Sequence, residues 1–299
     1  TLGRGLLIGL LAGFLLLPRP ASWLAWIPAL LYGLVQVGDL LDGYLARATG
    51  TATEWGERLD IEFDALGLLM AAGLAVHWGT VTTWFLTVGV SRYAYRLGLW
   101  WVLRRGGALH PLPPSGMRRP IAGVMMIFAS VLLWPIVPPA AARAAAWVIS
   151  TPFLIGFLRD YLVVAGTLSP QSPRYLRARA SVKRLAKEGA PPLLRALVLL
   201  GWFLAALQAT TGAGWTQPAR SLTLLTAIPV VLLALGVAGR LAALAAMILS
   251  AASMVFVGAL PSLLLVMTMS LALLLTGTGR WSLWRGDSWL VDWRPGGPR

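Results

Sequence analysis

The sequence predicts an all-α polytopic membrane protein, with a six-helix bundle that carries the chemistry followed by a four-helix bundle. Three observations predict it. Of 299 residues, 58% are hydrophobic and only 12% charged. The mean hydropathy is +0.73, too high for a soluble domain of this size. Long apolar runs alternate with short connectors rich in Pro and Gly, and the basic residues gather in those connectors.

Ten stretches read as spans: 5–17, 22–46, 60–78, 81–103, 120–137, 140–165, 193–209, 221–238, 241–259 and 261–277. The connectors are turn-like, as at Pro18-Arg19-Pro20, Gly79-Thr80, Pro135 to Pro139, and Pro261. One polar stretch is long, GTLSPQSPRYLRARASVKRLAKEGAPP at 166–192, and it reads as a basic linker with an interfacial helix. It separates a six-span domain, 1–168, from a four-span domain, 193–299, across a linker at 169–192. No segment reads as a cleavable signal peptide, and a start at Thr1 without Met reads as a trimmed one. Cys is absent, which excludes disulfides and thiolate metal sites. The fifteen Trp fall mostly near span ends, as an interfacial belt requires.

The net charge is +14, and its placement argues against a nucleic-acid partner. With the 47–59 turn put in the cytoplasm, nineteen Lys and Arg fall on that side and three on the other. Both termini then face the cytoplasm. The basic loops suit anionic headgroups and phosphorylated substrates.

The acids are concentrated. Seven of eleven lie between Asp39 and Asp64, in DLLDGYLARATGTATEWGERLDIEFD. Asp39 and Asp42 are three apart and share a helical face, and Asp60 and Asp64 are four apart on another. Packed side by side, the two faces would gather four carboxylates. Such charges repel strongly at membrane depth unless cations are bound among them. Hard oxygen ligands favour Mg²⁺ or Mn²⁺, and two such ions suit phosphoryl chemistry.

These residues resemble a known family. The pattern D-x2-D-G-x2-A-R-x8-G-x3-D-x3-D is the signature of CDP-alcohol phosphotransferases. It is met here by Asp39, Asp42, Gly43, Ala46, Arg47, Gly56, Asp60 and Asp64, with every spacing intact. The resemblance implies a homodimeric enzyme that transfers a substituted phosphate from a CDP-alcohol, CDP-diacylglycerol foremost, to an alcohol acceptor in phospholipid biosynthesis. It implies that Asp39, Asp42 and Asp60 hold two metal ions, and that Asp64 is the general base and touches a metal as well. It also implies that Gly43, Ala46, Arg47 and Gly56, with a hydroxyl residue just before (here Thr53), hold the CDP moiety. The family opens with a Thr and an Arg three residues later, a spacing met by Thr1 and Arg4; its preceding Pro-Asn would lie before the start of this chain. Phosphatidylglycerophosphate synthases commonly follow the last Asp with Lys. Ala65 stands there instead, which lowers the weight of that acceptor.

Other residues carry two readings. Arg104, Arg105, Arg118 and Arg119 flank the 106–117 loop and suit an acceptor phosphate or, equally, a plain cytoplasmic anchor. Ser115-Gly116-Met117 with Arg118 and Arg119 is similar to a Gly-Lys stretch of the family. Arg159 and Asp160 lie within the sixth span, where an ionisable pair reads as functional or as mutually paired. His77 and His110 are isolated and are not expected to be ligands. Glu62 stays unassigned. The last four spans hold no acid or His. Their end, GTGRWSLW, resembles the tail of DoxX-like four-helix membrane proteins. Two other functions compete: intramembrane prenyl transfer on an Asp–Mg²⁺ site, which normally needs a second Asp motif, and cation transport without catalysis.

Overall fold

The computed structural model describes residues 2–49, 53–113, 118–212, 214–258, 260–277, 279 and 282–284. It is helical, with no strand among the described residues. The chain divides into two compact units between Pro170 and Gln171.

The first unit holds α1 (Leu2–Gly13), α2 (Ile27–Thr49), α3 (Glu54–His77), α4 (Leu86–Arg104), α5 (Arg118–Leu132) and α6 (Pro139–Val164). The second holds α7 (Pro173–Arg184), α8 (Ala190–Thr211), α9 (Gln217–Leu225), α10 (Ala227–Leu235), α11 (Gly239–Val257) and α12 (Pro261–Thr276). Among the described residues, five stretches are long and apolar enough to cross a membrane: Ser22–Gly43, Pro139–Val164, Ala190–Thr211, Gln217–Leu235 and Gly239–Val257. Leu2–Leu16, Ile121–Leu132 and Pro261–Leu274 are apolar but shorter. The protein is an integral membrane protein. Its exposed Leu, Ile, Val and Trp side chains, such as Leu6, Leu30, Trp101 and Ile155, are what a lipid-facing surface needs.

Several boundaries differ from the sequence reading, two of them for a plain local reason. The third helix starts at Glu54, not near residue 60, because Thr53 caps it: the Thr53 hydroxyl accepts from the Gly56 N–H at 3.1 Å. Its whole acidic run is therefore helical. The eighth span is two helices, broken at Thr226. Pro229 supplies the cause, since it lacks an N–H and its ring crowds the carbonyl four residues back. Within 169–192, helix begins at Pro173 under a Ser172 cap and runs through a wide turn, Leu185–Gly189, into α8.

In the first unit α3 packs against α1, α2, α4 and α5. Lipid offers helices little hydrophobic drive to associate, so close contact through small residues matters. Gly89 of α4 is such a contact. A Cβ there would stand 2.8 Å from the Leu69 Cα of α3. The second unit closes on Val198, Val230, Leu233, Ala243, Ala246 and Leu273. Two polar contacts tie its helices: Trp202 donates to the Thr223 carbonyl at 3.0 Å, and Ser262 to Gln208 Oε1 at 2.7 Å.

The Gly89 contact is testable. Gly89→Ala should force α3 and α4 apart and cost roughly 1–3 kcal/mol, the usual cost of overpacking. Gly9→Ala, whose Cβ would meet nothing within 4 Å, is the control and should be neutral or slightly stabilising. Thermal unfolding in detergent checks this, and equal midpoints for the two variants would contradict it.

Candidate active site

Three helices build the site. α2 carries Asp39 and Asp42, α3 carries Asp60 and Asp64, and α1 delivers Arg4. Asp39, Asp60 and Asp64 each place one oxygen within 4.8 Å of the others. Arg4 lies among them at 3% exposure. Its Nη1 is 2.8 Å from Asp39 Oδ1 and also bonds Asp60, while Nη2 donates to Asp64 Oδ1 at 2.5 Å. The three carboxylates are half-exposed, so the cluster opens on one side. Asp42 sits one helical turn beyond Asp39 and is half-buried; it is not among the three that converge.

The approach of α1 depends on small residues. Arg4's stem crosses Gly38, where a Cβ would stand 3.2 Å from Arg4 Cγ. Gly5 faces the Phe63 ring, where a Cβ would be 2.9 Å from Cζ. Gly67 similarly makes room for Tyr32, which is buried.

A pocket of about 190 Å³ adjoins the cluster. Arg4, Asp39 and Asp64 form its polar end, and Val35, Phe63, Met126 and Ile127 are apolar walls. Gln36 fixes one wall by donating to the Met126 carbonyl of α5 at 2.9 Å. Such a pocket offers charge at one end and an oily surface beside it.

The predicted nucleotide residues are only partly visible. Gly43 follows Asp42 on α2 and is half-buried. Thr53 and Gly56 form the capped first turn of α3, and a Cβ at Gly56 would stand 3.1 Å from the capping hydroxyl. The side chains of Ala46, Arg47 and Arg119 lie outside the described residues, as do Thr1 and Ser115, Gly116 and Met117 entirely.

The basic candidates fall into two groups. Arg104 and Arg105 stack over Trp100 and Trp101 of their own helix, at 4.6 and 4.8 Å from the ring centroids. Arg118 is held by Asp160 through two contacts, Nε–Oδ2 at 2.6 Å and Nη2–Oδ1 at 3.3 Å, and it also donates to the Pro113 carbonyl. Arg159 Nη1 reaches the same Asp160 at 3.6 Å. Asp160 is buried, so it pairs with Arg118 across helices, beyond its sequence neighbour.

The sequence reading gave three features no role. Arg4 is one: it matches only the family's opening Thr–Arg spacing, although it is also the sole charge in the first apolar stretch, LGRGLLIGLLAG, a further signal. Glu62 is the second. It turns from the aspartates to α4, where Arg92 Nη2 is 3.3 Å away and Arg96 also bonds it. Tyr32 is the third, and its buried position under the pocket leaves no mark in the sequence. Of the two histidines, His77 contacts the Leu17 carbonyl at 3.2 Å, and His110 lies against Gly166.

The donor set fits a hard divalent cation: three carboxylates within one ion's reach, on two helices, with an open side. The comparisons agree with that chemistry. The family model for CDP-alcohol phosphatidyltransferase matches residues 1–157, more than half of the chain. The protein therefore belongs to the CDP-alcohol phosphatidyltransferase family and is an enzyme of that family. No curated protein and no solved structure matches it significantly.

Proposed function

We propose that this enzyme transfers a phosphatidyl group from CDP-diacylglycerol to the hydroxyl of a second alcohol, releasing CMP. The observation that carries this reading is the convergence of Asp39, Asp60 and Asp64, two of which, Asp39 and Asp64, line a largely apolar pocket. A CDP-linked lipid has the same polarity, a pyrophosphate joined to acyl chains. Prenyl transfer and cation transport fit less well, because neither needs the Gly43, Ala46, Arg47 and Gly56 set.

Two divalent ions, Mg²⁺ or Mn²⁺, would be held by Asp39, Asp42 and Asp60, with Asp64 at their edge. When bound, they would neutralise pyrophosphate charge and favour departure of CMP. The chain's own residues do the rest. Gly43 and Ala46 leave space for the nucleotide, Arg47 forks onto phosphate oxygens, and Thr53 and Gly56 bound the CDP moiety at the start of α3. Asp64 takes the proton of the acceptor hydroxyl. The hydroxyl oxygen bonds to the lipid-bearing β-phosphorus, the bond from that phosphorus to the bridging oxygen breaks, and CMP leaves with the electron pair. An anionic acceptor would meet the basic residues of the α4–α5 loop and α6. Arg118 and Arg159 share the single charge of Asp160, which leaves a net positive charge there; Arg104, Arg105 and Arg119 add basic charge to this stretch of the sequence.

The charge asymmetry, nineteen against three, supports an active site and both termini on the cytoplasmic face of the membrane, where CDP-activated donors and soluble acceptors meet. We also propose a homodimer, an arrangement the family resemblance implies. The division of labour is 1–168 for catalysis, 169–192 as a basic connector and 193–299 as a separate membrane domain.

The purified chain, given CDP-diacylglycerol and a panel of alcohols (glycerol 3-phosphate, inositol, inositol phosphate, serine, phosphatidylglycerol), should release CMP with Mg²⁺ or Mn²⁺ and none with excess EDTA. Undiminished CMP release in EDTA, or none with any acceptor in either metal, would reject the reading. Asp64→Asn should lower turnover by about 10²–10⁴-fold, the range for a positioned base, with CDP-alcohol binding retained. Asp42→Asn should weaken metal and nucleotide binding together. Equal loss of nucleotide affinity in both variants would make Asp64 a ligand and send the search for the base elsewhere, first to Glu62.

A further inference from the structure

We propose that Arg4 is the resident counter-cation of the aspartate cluster: it holds Asp39, Asp60 and Asp64 together across α1, α2 and α3 when no divalent ion is bound, and it competes with that ion for the same oxygens. The inference rests on the metal-site reading given above.

Arg4 is built into the cluster. Its two terminal nitrogens reach three carboxylates on two other helices, at 2.8 Å for Asp39, 2.5 Å for Asp64 and in a direct bond to Asp60. Nearly all of its surface is buried. Gly38 accommodates its stem, and Gly5 beside it seats α1 on Phe63, the residue before Asp64. Contacts of this kind fix both the stem and the helix that delivers it. They go beyond what an adventitious surface pair would need.

The residue type fits the task. A guanidinium stays charged even when buried, and its planar fork of five N–H donors can serve several carboxylates at once. A lysine offers a point charge and could not span the three in the same way. One positive charge against three negative ones also leaves the cluster short of neutrality, so an incoming divalent cation is still attracted.

The competition follows from the atoms used. Arg4 occupies Oδ1 of Asp39, Asp60 and Asp64. A metal ion among these carboxylates needs oxygens of that same convergent set, and a guanidinium at contact distance repels it. Arg4 therefore keeps the acids preorganised while lowering their affinity for metal. Arg4 is thus a positioning residue, acting through the aspartates.

The test uses the full chain in detergent, with Mn²⁺ alone as the probe. Free Mn²⁺ is read by electron paramagnetic resonance, and thermal unfolding is followed in EDTA and in saturating Mn²⁺. Arg4→Gln should bind Mn²⁺ at least about tenfold more tightly than the parent protein, since a contact charge is removed. It should also unfold at lower temperature in EDTA, with Mn²⁺ restoring most of the loss. Arg4→Lys keeps the charge but loses the fork. Its Mn²⁺ affinity should change by less than about threefold, yet its stability in EDTA should fall and recover with Mn²⁺. If Arg4→Gln folds too poorly to titrate, the Arg4→Lys stability pair decides. Unchanged or weaker Mn²⁺ binding by Arg4→Gln, or an EDTA instability that Mn²⁺ does not repair in either variant, overturns the proposal and leaves Arg4 as packing. Absence of Mn²⁺ binding by the parent and variants alike removes the metal site itself, and this proposal with it.

Discussion

Carboxylates packed among apolar helices must be compensated, and the first unit is arranged around that constraint. An acid left without a counter-charge is costly in proportion to its burial. Each cross-helix ionic contact in the unit answers it. Arg4 ties α1 to the aspartates of α2 and α3. Glu62 ties α3 to Arg92 and Arg96 of α4. Asp160 ties α6 to Arg118 at the start of α5. The same charges that would destabilise isolated helices thus fix the register of the bundle. By contrast Glu54 and Arg58, one turn apart on an exposed surface at 3.7 Å, contribute little.

Close packing makes those contacts possible. A carboxylate triad drawn from two helices needs backbones that approach one another. The sequence supplies glycine where they do: Gly38 beneath Arg4, Gly67 against Tyr32, Gly89 against Leu69, and Gly98 against Tyr161, where a Cβ would be 2.6 Å from the ring. Side chains at these positions would push α1, α2, α4 or α6 outward and pull the acids apart. Geometry at the candidate site is therefore set by residues that carry no chemistry. In lipid, where association gains little from hydrophobic burial, this is the main route to precise placement.

Much of this was legible in the sequence. The aspartates stand out because acids are scarce elsewhere and because spacings of three and four place them on helical faces. Helix positions follow from hydropathy, and each of the ten apolar stretches overlaps a helix among the described residues, though several run past its end. What escaped had a physical reason in each case. The start of α3 turns on one capping hydroxyl, Thr53, inside a run too polar to read as a span. Arg4, Glu62 and Arg118 find their partners 30 to 60 positions away, and no periodicity reports such pairings. Local pattern reveals which residues are costly to bury. It does not reveal which other residue meets the cost.

The central claim is that the acids of α2 and α3 form a divalent-cation site now balanced by Arg4. The most direct test is an experimental structure of the full chain grown with Mn²⁺, with manganese located by its anomalous scattering. The account predicts anomalous peaks bonded to carboxylate oxygens of Asp39, Asp60 and Asp64, at about 2.0–2.3 Å, with the Arg4 guanidinium withdrawn from at least one of them. Manganese bound elsewhere, or an Arg4 still paired with all three aspartates at saturating Mn²⁺, would contradict it.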